Sequence, residues 1–261
     1  LQDRGLAAYI SELIGTLLLT FAIGTVVTLY AATSPDAQTG SDFAVIGLVQ
    51  GLALFALIMS FGAVSGGHFN PAVTIAATVL RRIDPIDAVV YILAQLSGGV
   101  LGALLVKGLL KDEGQAGHYG VGQVSDLLGG NFAGAVVEGL GAFLIVLVIC
   151  SVAFNERARQ EWAPLAIGLT FAFAVMIFGP LTGANFNPAR WFGPALIGDA
   201  LHGKDLIPFV LGPIVGALIA AAVYKFVIAG PQYAEGPEPA TTTGRAVGQT
   251  IKDAEVRARN K

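Results

Sequence analysis

Six long apolar runs, separated by short polar stretches, set the plan of this chain. They fall at about residues 7–31, 43–64, 86–110, 132–154, 163–179 and 206–229. Each is close to the roughly 20 residues that an α-helix needs to cross the hydrocarbon core of a bilayer. Away from their ends, strongly polar positions are few: Glu12, Gln50, Gln95 and Glu138. Two shorter apolar segments, ending near residues 80 and 197, are built differently. Each starts from Gly-x-x-Phe-Asn-Pro-Ala, at Gly66–Ala72 and again at Gly183–Ala189. Proline is tolerated at the first position of a helix, where its missing N–H has no partner to lose. Asparagine just before it is a favoured cap. Each copy therefore predicts a glycine-rich loop that turns abruptly into a short helix. A polar loop at membrane depth must line water or be buried in protein.

The order of features repeats. An acid-bearing span, a second span, an Asn-Pro-Ala half-helix and a third span occur once in about residues 7–110 and again in about 132–229. Three spans per repeat is an odd number, so the second repeat runs inverted relative to the first. Such repeats place a site near the midplane, where the halves meet. The expected architecture is all-α: six transmembrane helices plus two re-entrant half-helices in one channel domain, residues 1–230. A polar tail, 231–261, has no apolar period and is expected to be disordered, with a fraying helix over 247–261. The basic residues Arg4, Arg81, Arg82, Arg157, Arg159 and Lys225 fall on one side of this layout. That side, with both termini, is expected to be cytoplasmic.

Composition supports the membrane reading. Charged residues are 13% of the chain, against roughly 25% in a soluble domain. The 34 glycines suit close approach of membrane helices. One cysteine, Cys150, and three histidines leave no disulfide framework and no metal-ligand spacing, so no metal or cofactor is expected. No nucleophile–base pair marks an enzyme, and nothing points to nucleic acid. The first run is too long for a cleavable signal peptide. The start at Leu1 suggests that residues precede it.

The two Asn-Pro-Ala motifs, at this spacing inside an inverted repeat, resemble those of the aquaporin and aquaglyceroporin family, prokaryotic members included. The resemblance spans about residues 7–229. It implies a homotetramer in the cell membrane with one pore per subunit, and half-helices meeting end to end at mid-membrane.

The physics of these residues agrees. Each half-helix N-terminus carries about half a positive charge, and two aimed at one spot disfavour a cation there. The amides of Asn70 and Asn187, in Asn70-Pro71-Ala72 and Asn187-Pro188-Ala189, offer donors to a passing oxygen. Carbonyls of Gly66, Gly67, His68, Gly183, Ala184 and Asn185 are candidate acceptors along the path. Arg190, one helical step inside, is costly in lipid and should face the pore; Val73 holds the matching place in the first repeat. The resemblance assigns four positions of an outer constriction to Gln50, Val175, Ala184 and Arg190. It assigns Glu12 and Glu138 to bracing the loops, in preference to a proton relay. With no aromatic and no histidine, that constriction is wide, which suits water plus small neutral solutes such as glycerol or metalloid acids. A strictly water-selective pore, an ion-coupled secondary transporter and a purely structural junction are the alternatives. Gln50 is the least settled position, since it also suits a hydrogen bond to a neighbouring helix.

Overall fold

The computed structural model describes residues 5–32 and 41–230. The expected tail and its fraying helix lie outside the described residues. Eight helices follow in order: α1 Leu6–Val27, α2 Ser41–Ser65, α3 Pro71–Val79, α4 Pro85–Ala116, α5 Asn131–Val152, α6 Ala163–Thr182, α7 Pro188–Ile197 and α8 Gly212–Val223. Wider turns extend α1 through Ala32 and flank α8 over Ile207–Leu211 and Tyr224–Ile228. Among the described residues, six helical stretches are long and apolar enough to cross a membrane. The other two, α3 and α7, are the half-helices, of 9 and 10 residues.

Packing is doubly paired. In each half the first and third spans lie together, α1 on α4 and α5 on α8. Across the halves α2 packs on α6, and each half-helix rests on the other repeat's last span, α3 on α8 and α7 on α4. Glycine makes these crossings possible. A Cβ at Gly98 would fall 2.4 Å from the Leu13 carbonyl oxygen, and one at Gly216 would fall 1.9 Å from that of Gly139. Small residues at such points let the backbones touch, the main attractive term available between helices in lipid.

The termini of the spans differ modestly from expectation. The third span was expected to end near residue 110, but α4 runs to Ala116 with a break at Lys111, φ 24°. Its polar end, Lys111-Asp112-Glu113-Gly114, is still capable of helix. It is held by Gly117 N–H donating to the Glu113 carbonyl, at 3.4 Å. The segment after it, expected as a plain polar loop, docks on the second Asn-Pro-Ala loop: Ser125 N–H donates to the Leu181 carbonyl at 2.9 Å. At the opposite end, Arg82 donates to the Phe154 carbonyl at 3.0 Å, so the basic loops after α3 and α5 sit together.

Candidate functional site

Both half-helices begin as the motifs predict. Asn70 and Asn187 are extended, at φ −154° and −148°, and their side chains cap the helices. Asn70 Oδ1 accepts from Ala72 N–H at 2.9 Å. Asn187 Oδ1 accepts from Ala189 N–H at 3.0 Å and Arg190 N–H at 3.2 Å. Pro71 and Pro188 occupy the first helical positions, and Ala72 and Ala189 are fully buried.

The two helix starts also brace each other. Asn70 Nδ2 donates to the Phe186 carbonyl at 3.0 Å, and Asn187 Nδ2 donates to the Phe69 carbonyl at 2.8 Å. The N-termini of α3 and α7 therefore meet, joined by reciprocal bonds across more than a hundred residues of sequence. An amide NH2 has two donors. One on each Asn is spent on this brace, and one remains.

A cavity of about 80 Å³ reaches both Asn side chains. Its polar lining comes from Gly66, Gly67, His68 and the Asn pair. The rest of the lining is largely apolar, with Leu54, Ile58, Ile145, Ile149 and Ile167. It extends to Phe154 and Ala163, the end where the basic loops meet. The cavity is therefore lined by residues of both repeats, from that end to the two helix starts. Asn185 lines it as well, whereas Gly183 and Ala184 do not: Gly183 is half-buried and Ala184 is fully buried.

The acids hold the loops. Glu12 Oε1 accepts from Ser65 Oγ at 2.7 Å and His68 N–H at 2.9 Å. Its Oε2 accepts from Phe69 N–H and Gln95 Nε2, each at 2.7 Å. Glu138 does the same for the second loop, accepting from Thr182 Oγ1 at 2.6 Å, Asn185 N–H at 3.0 Å and Phe186 N–H at 2.6 Å. Each carboxylate thus accepts several hydrogen bonds at once from the loop beside it. His68 is likewise braced, its Nδ1 3.1 Å from Thr74 Oγ1.

The sequence reading missed what sits beneath these loops. Phe69 and Phe186 adopt left-handed backbone, φ 48° and 53°. Their rings press on Gly15 and Gly141, where a Cβ would come within 2.0 Å of a ring carbon in each case. Each glycine follows its acid by three residues, one helical turn away. The signal was present as Glu-x-x-Gly in both repeats.

Of the four positions expected to form a constriction, Gln50, Val175 and Ala184 are fully buried and Arg190 is 1% exposed. Val175 and Ala184 belong to one apolar cluster on the inner faces of the bundle. Gln50 lies on α2 beside Gly51, which contacts α6 closely enough that a Cβ would fall 2.4 Å from the Gly168 carbonyl oxygen. Neither end of the Gln50 amide has a hydrogen-bond partner among the described residues, and Arg190 Nε has none. Gln50 is therefore not bonded to a neighbouring helix. An unpaired buried polar group costs about 1–3 kcal/mol, a cost that water passing beside it would remove. Cys150 is buried among Ala72, Ala217 and Ala221 and does not line the cavity.

Comparison with known proteins decides the family. The Major intrinsic protein family matches residues 2–224. The chain belongs to that family. Among Major intrinsic proteins it is 38% identical over 213 residues to the glycerol uptake facilitator protein-like 6 of Lactiplantibacillus plantarum, covering 82% of this chain and 94% of that one. It is 38% identical over 236 residues to the probable aquaporin AqpM of Archaeoglobus fulgidus, covering 84% and 95%. It is 40% identical over 199 residues to Nodulin-26 of Glycine max, covering 76% and 69%. The fold matches the X-ray structure of the aquaglyceroporin from Plasmodium falciparum, with a TM-score of 0.74 at 23% identity, over 88% of this chain and 99% of that one. The Major intrinsic protein fold thus accounts for the six spans and two half-helices.

Proposed function

We propose that the chain is a passive channel for water and small neutral solutes that excludes protons and ions. The observation that carries this reading is the meeting of the α3 and α7 N-termini at one cavity, each capped by an Asn with one amide donor left over. Two partial positive charges face that point, so a cation or hydronium is raised in energy there. A water oxygen that accepts from both Asn amides turns its hydrogens outward, which breaks the chain along which protons hop. The carbonyls of Gly66, Gly67 and His68 form a rail of acceptors on one side of an otherwise apolar path. Those of Gly183 and Ala184 continue it beyond the Asn pair, and Asn185 borders the cavity itself. Few partners on a smooth wall let water slide.

Arg190, Gln50, Val175 and Ala184 form the outer constriction in this reading. The unpaired Gln50 amide both donates and accepts, while Arg190 only donates. A hydroxylated solute can satisfy both. Relatives named as a glycerol uptake facilitator and as aquaporins support water and glycerol-class solutes. The protein sits in the plasma membrane as a homotetramer, with the Arg82 and Phe154 end and both termini cytoplasmic. Its outward apolar residues, such as Leu52 and Met59 on α2, meet lipid or a neighbouring subunit.

Stopped-flow light scattering of proteoliposomes under water, glycerol and boric acid gradients tests the reading. Flux of water and at least one of the other two is expected. Gln50→Phe with Val175→His should then cut glycerol flux by about tenfold or more while water flux persists, the scale on which pocket shape discriminates. Unchanged glycerol flux in that variant would remove Gln50 and Val175 from the constriction. A wild type that passes water alone would make the channel strictly water-selective.

A further inference from the structure

The side chain of Asn185 makes contacts that have no counterpart in the first repeat. It is fully buried, and its amide is used at both ends. Nδ2 donates to the Thr182 carbonyl at 3.2 Å and reaches Glu138 Oε1 at 3.5 Å, while Oδ1 accepts from Arg190 Nη1. In the first repeat the third span supplies Gln95 to the buried acid. The second repeat's third span carries Gly212, Pro213 and Gly216 in that region, and among the described residues Glu138 draws its donors from the end of α6 and the loop after it: Thr182, Phe186 and Asn185. His68 holds the position of Asn185 in the first loop, and Val73 that of Arg190. The linkage therefore occurs only in the half that carries the cation.

The amide is also locked from behind. A Cβ at Gly122 would fall 1.9 Å from Asn185 Nδ2 and 2.5 Å from the Thr182 carbonyl oxygen. The loop after α4 thus lies flat against Asn185 and leaves it no room to turn away. Arg190 Nε has no partner, and among the described residues Asn185 is the one side chain that bonds its guanidinium.

We propose that Asn185 is a positioning residue for selectivity: it pins the Arg190 guanidinium to the Glu138 side of the path and so sets the opening of the outer constriction. This rests on the channel reading above. A guanidinium on a four-torsion stem, once released, is free to swing into the path. Glycerol, the larger solute, then loses more than water.

The test is a double-mutant cycle read as the glycerol-to-water permeability ratio in proteoliposomes. Asn185→Ala is placed once beside the natural Arg190 and once beside Arg190→Val. With Arg190 present the ratio should fall at least about fivefold, and with Arg190→Val the same substitution should change it less than about twofold. Equal changes in both backgrounds would mean that Asn185 acts through the Glu138 loop and not through Arg190, which overturns the proposal. So would no change in either. Loss of all flux in both backgrounds, as from misfolding, counts against it too. Absence of flux in the unaltered chain would instead sink the channel reading, and this proposal with it.

Discussion

Glu138→Ala is expected to abolish water flux and to lower the thermal midpoint of the purified protein by about 10 °C or more. The carboxylate accepts from the Thr182 hydroxyl and from the backbone N–H groups of Asn185 and Phe186, all buried. Removing it leaves three donors with no acceptor and no access to bulk water. Each such group costs about 1–3 kcal/mol, and at about 2–4 °C per kcal/mol for a chain of this size the sum reaches that shift. The loop they belong to carries the Phe186 carbonyl that holds Asn70, so the effect crosses to the other half-helix. Glu138→Gln should be nearly as severe, because half of its head group turns donors toward donors. Thr182→Val, which removes one bond to the acid and the longer one from Ala184 N–H at 3.3 Å but leaves the acid to hold Asn185 and Phe186, should be milder. Size-exclusion thermal scans and stopped-flow traces read all three. A Glu138→Ala protein with native midpoint and flux would show that the acid does not shape the loop.

The second large effect is expected at Gly141. A Cβ there would lie 2.0 Å, 2.3 Å and 2.5 Å from three carbons of the Phe186 ring. The ring cannot step aside: it is 1% exposed and is met edge-on by Phe171 and Phe178, with centroids 6.4 Å and 6.0 Å away. Overpacking a rigid core commonly costs about 1–3 kcal/mol, and here the displaced ring is one residue from Asn187. Gly141→Val should therefore reduce water permeability to that of empty vesicles. Gly15→Val should do the same through Phe69, whose ring stands in the same relation. Gly108→Ala is the control. It is exposed on α4 with nothing within 4 Å of an added Cβ, so flux should be unchanged and stability equal or slightly higher, by helix propensity. Equal behaviour of Gly141→Val and Gly108→Ala would refute the seat.

The spans, the capped half-helices and the bracing acids were legible because each depends on local signals. Apolar length marks a span, Asn-Pro marks a helix start, and one acid per repeat in an otherwise apolar run marks a buried partner. What escaped was set by contacts between distant segments. The docking of residues 118–126 on the second loop needs Gly122 to meet Asn185, and neither residue announces the other. Asn185 was read for its carbonyl because the duplicated motif treats that position as variable; its side chain gained a role from Glu138 and Arg190 together. The orientation of Gln50 was open for a related reason. These spans are apolar on lipid and protein faces alike, so periodicity does not say which way a polar side chain points. Only the fold showed that Gln50 is buried with no partner. The glycine seats were readable in principle, since Glu12 and Glu138 are each followed by glycine three residues on. The pattern gains its meaning from the Phe rings that descend on them.

The central claim is that two opposed half-helix starts pass water while stopping protons. Vesicles loaded with a pH-sensitive dye and carrying the protein at several densities measure both at once. Osmotic shrinkage should speed up with protein density while the proton leak stays at the level of empty vesicles. A proton leak that rises in step with protein density would contradict the account.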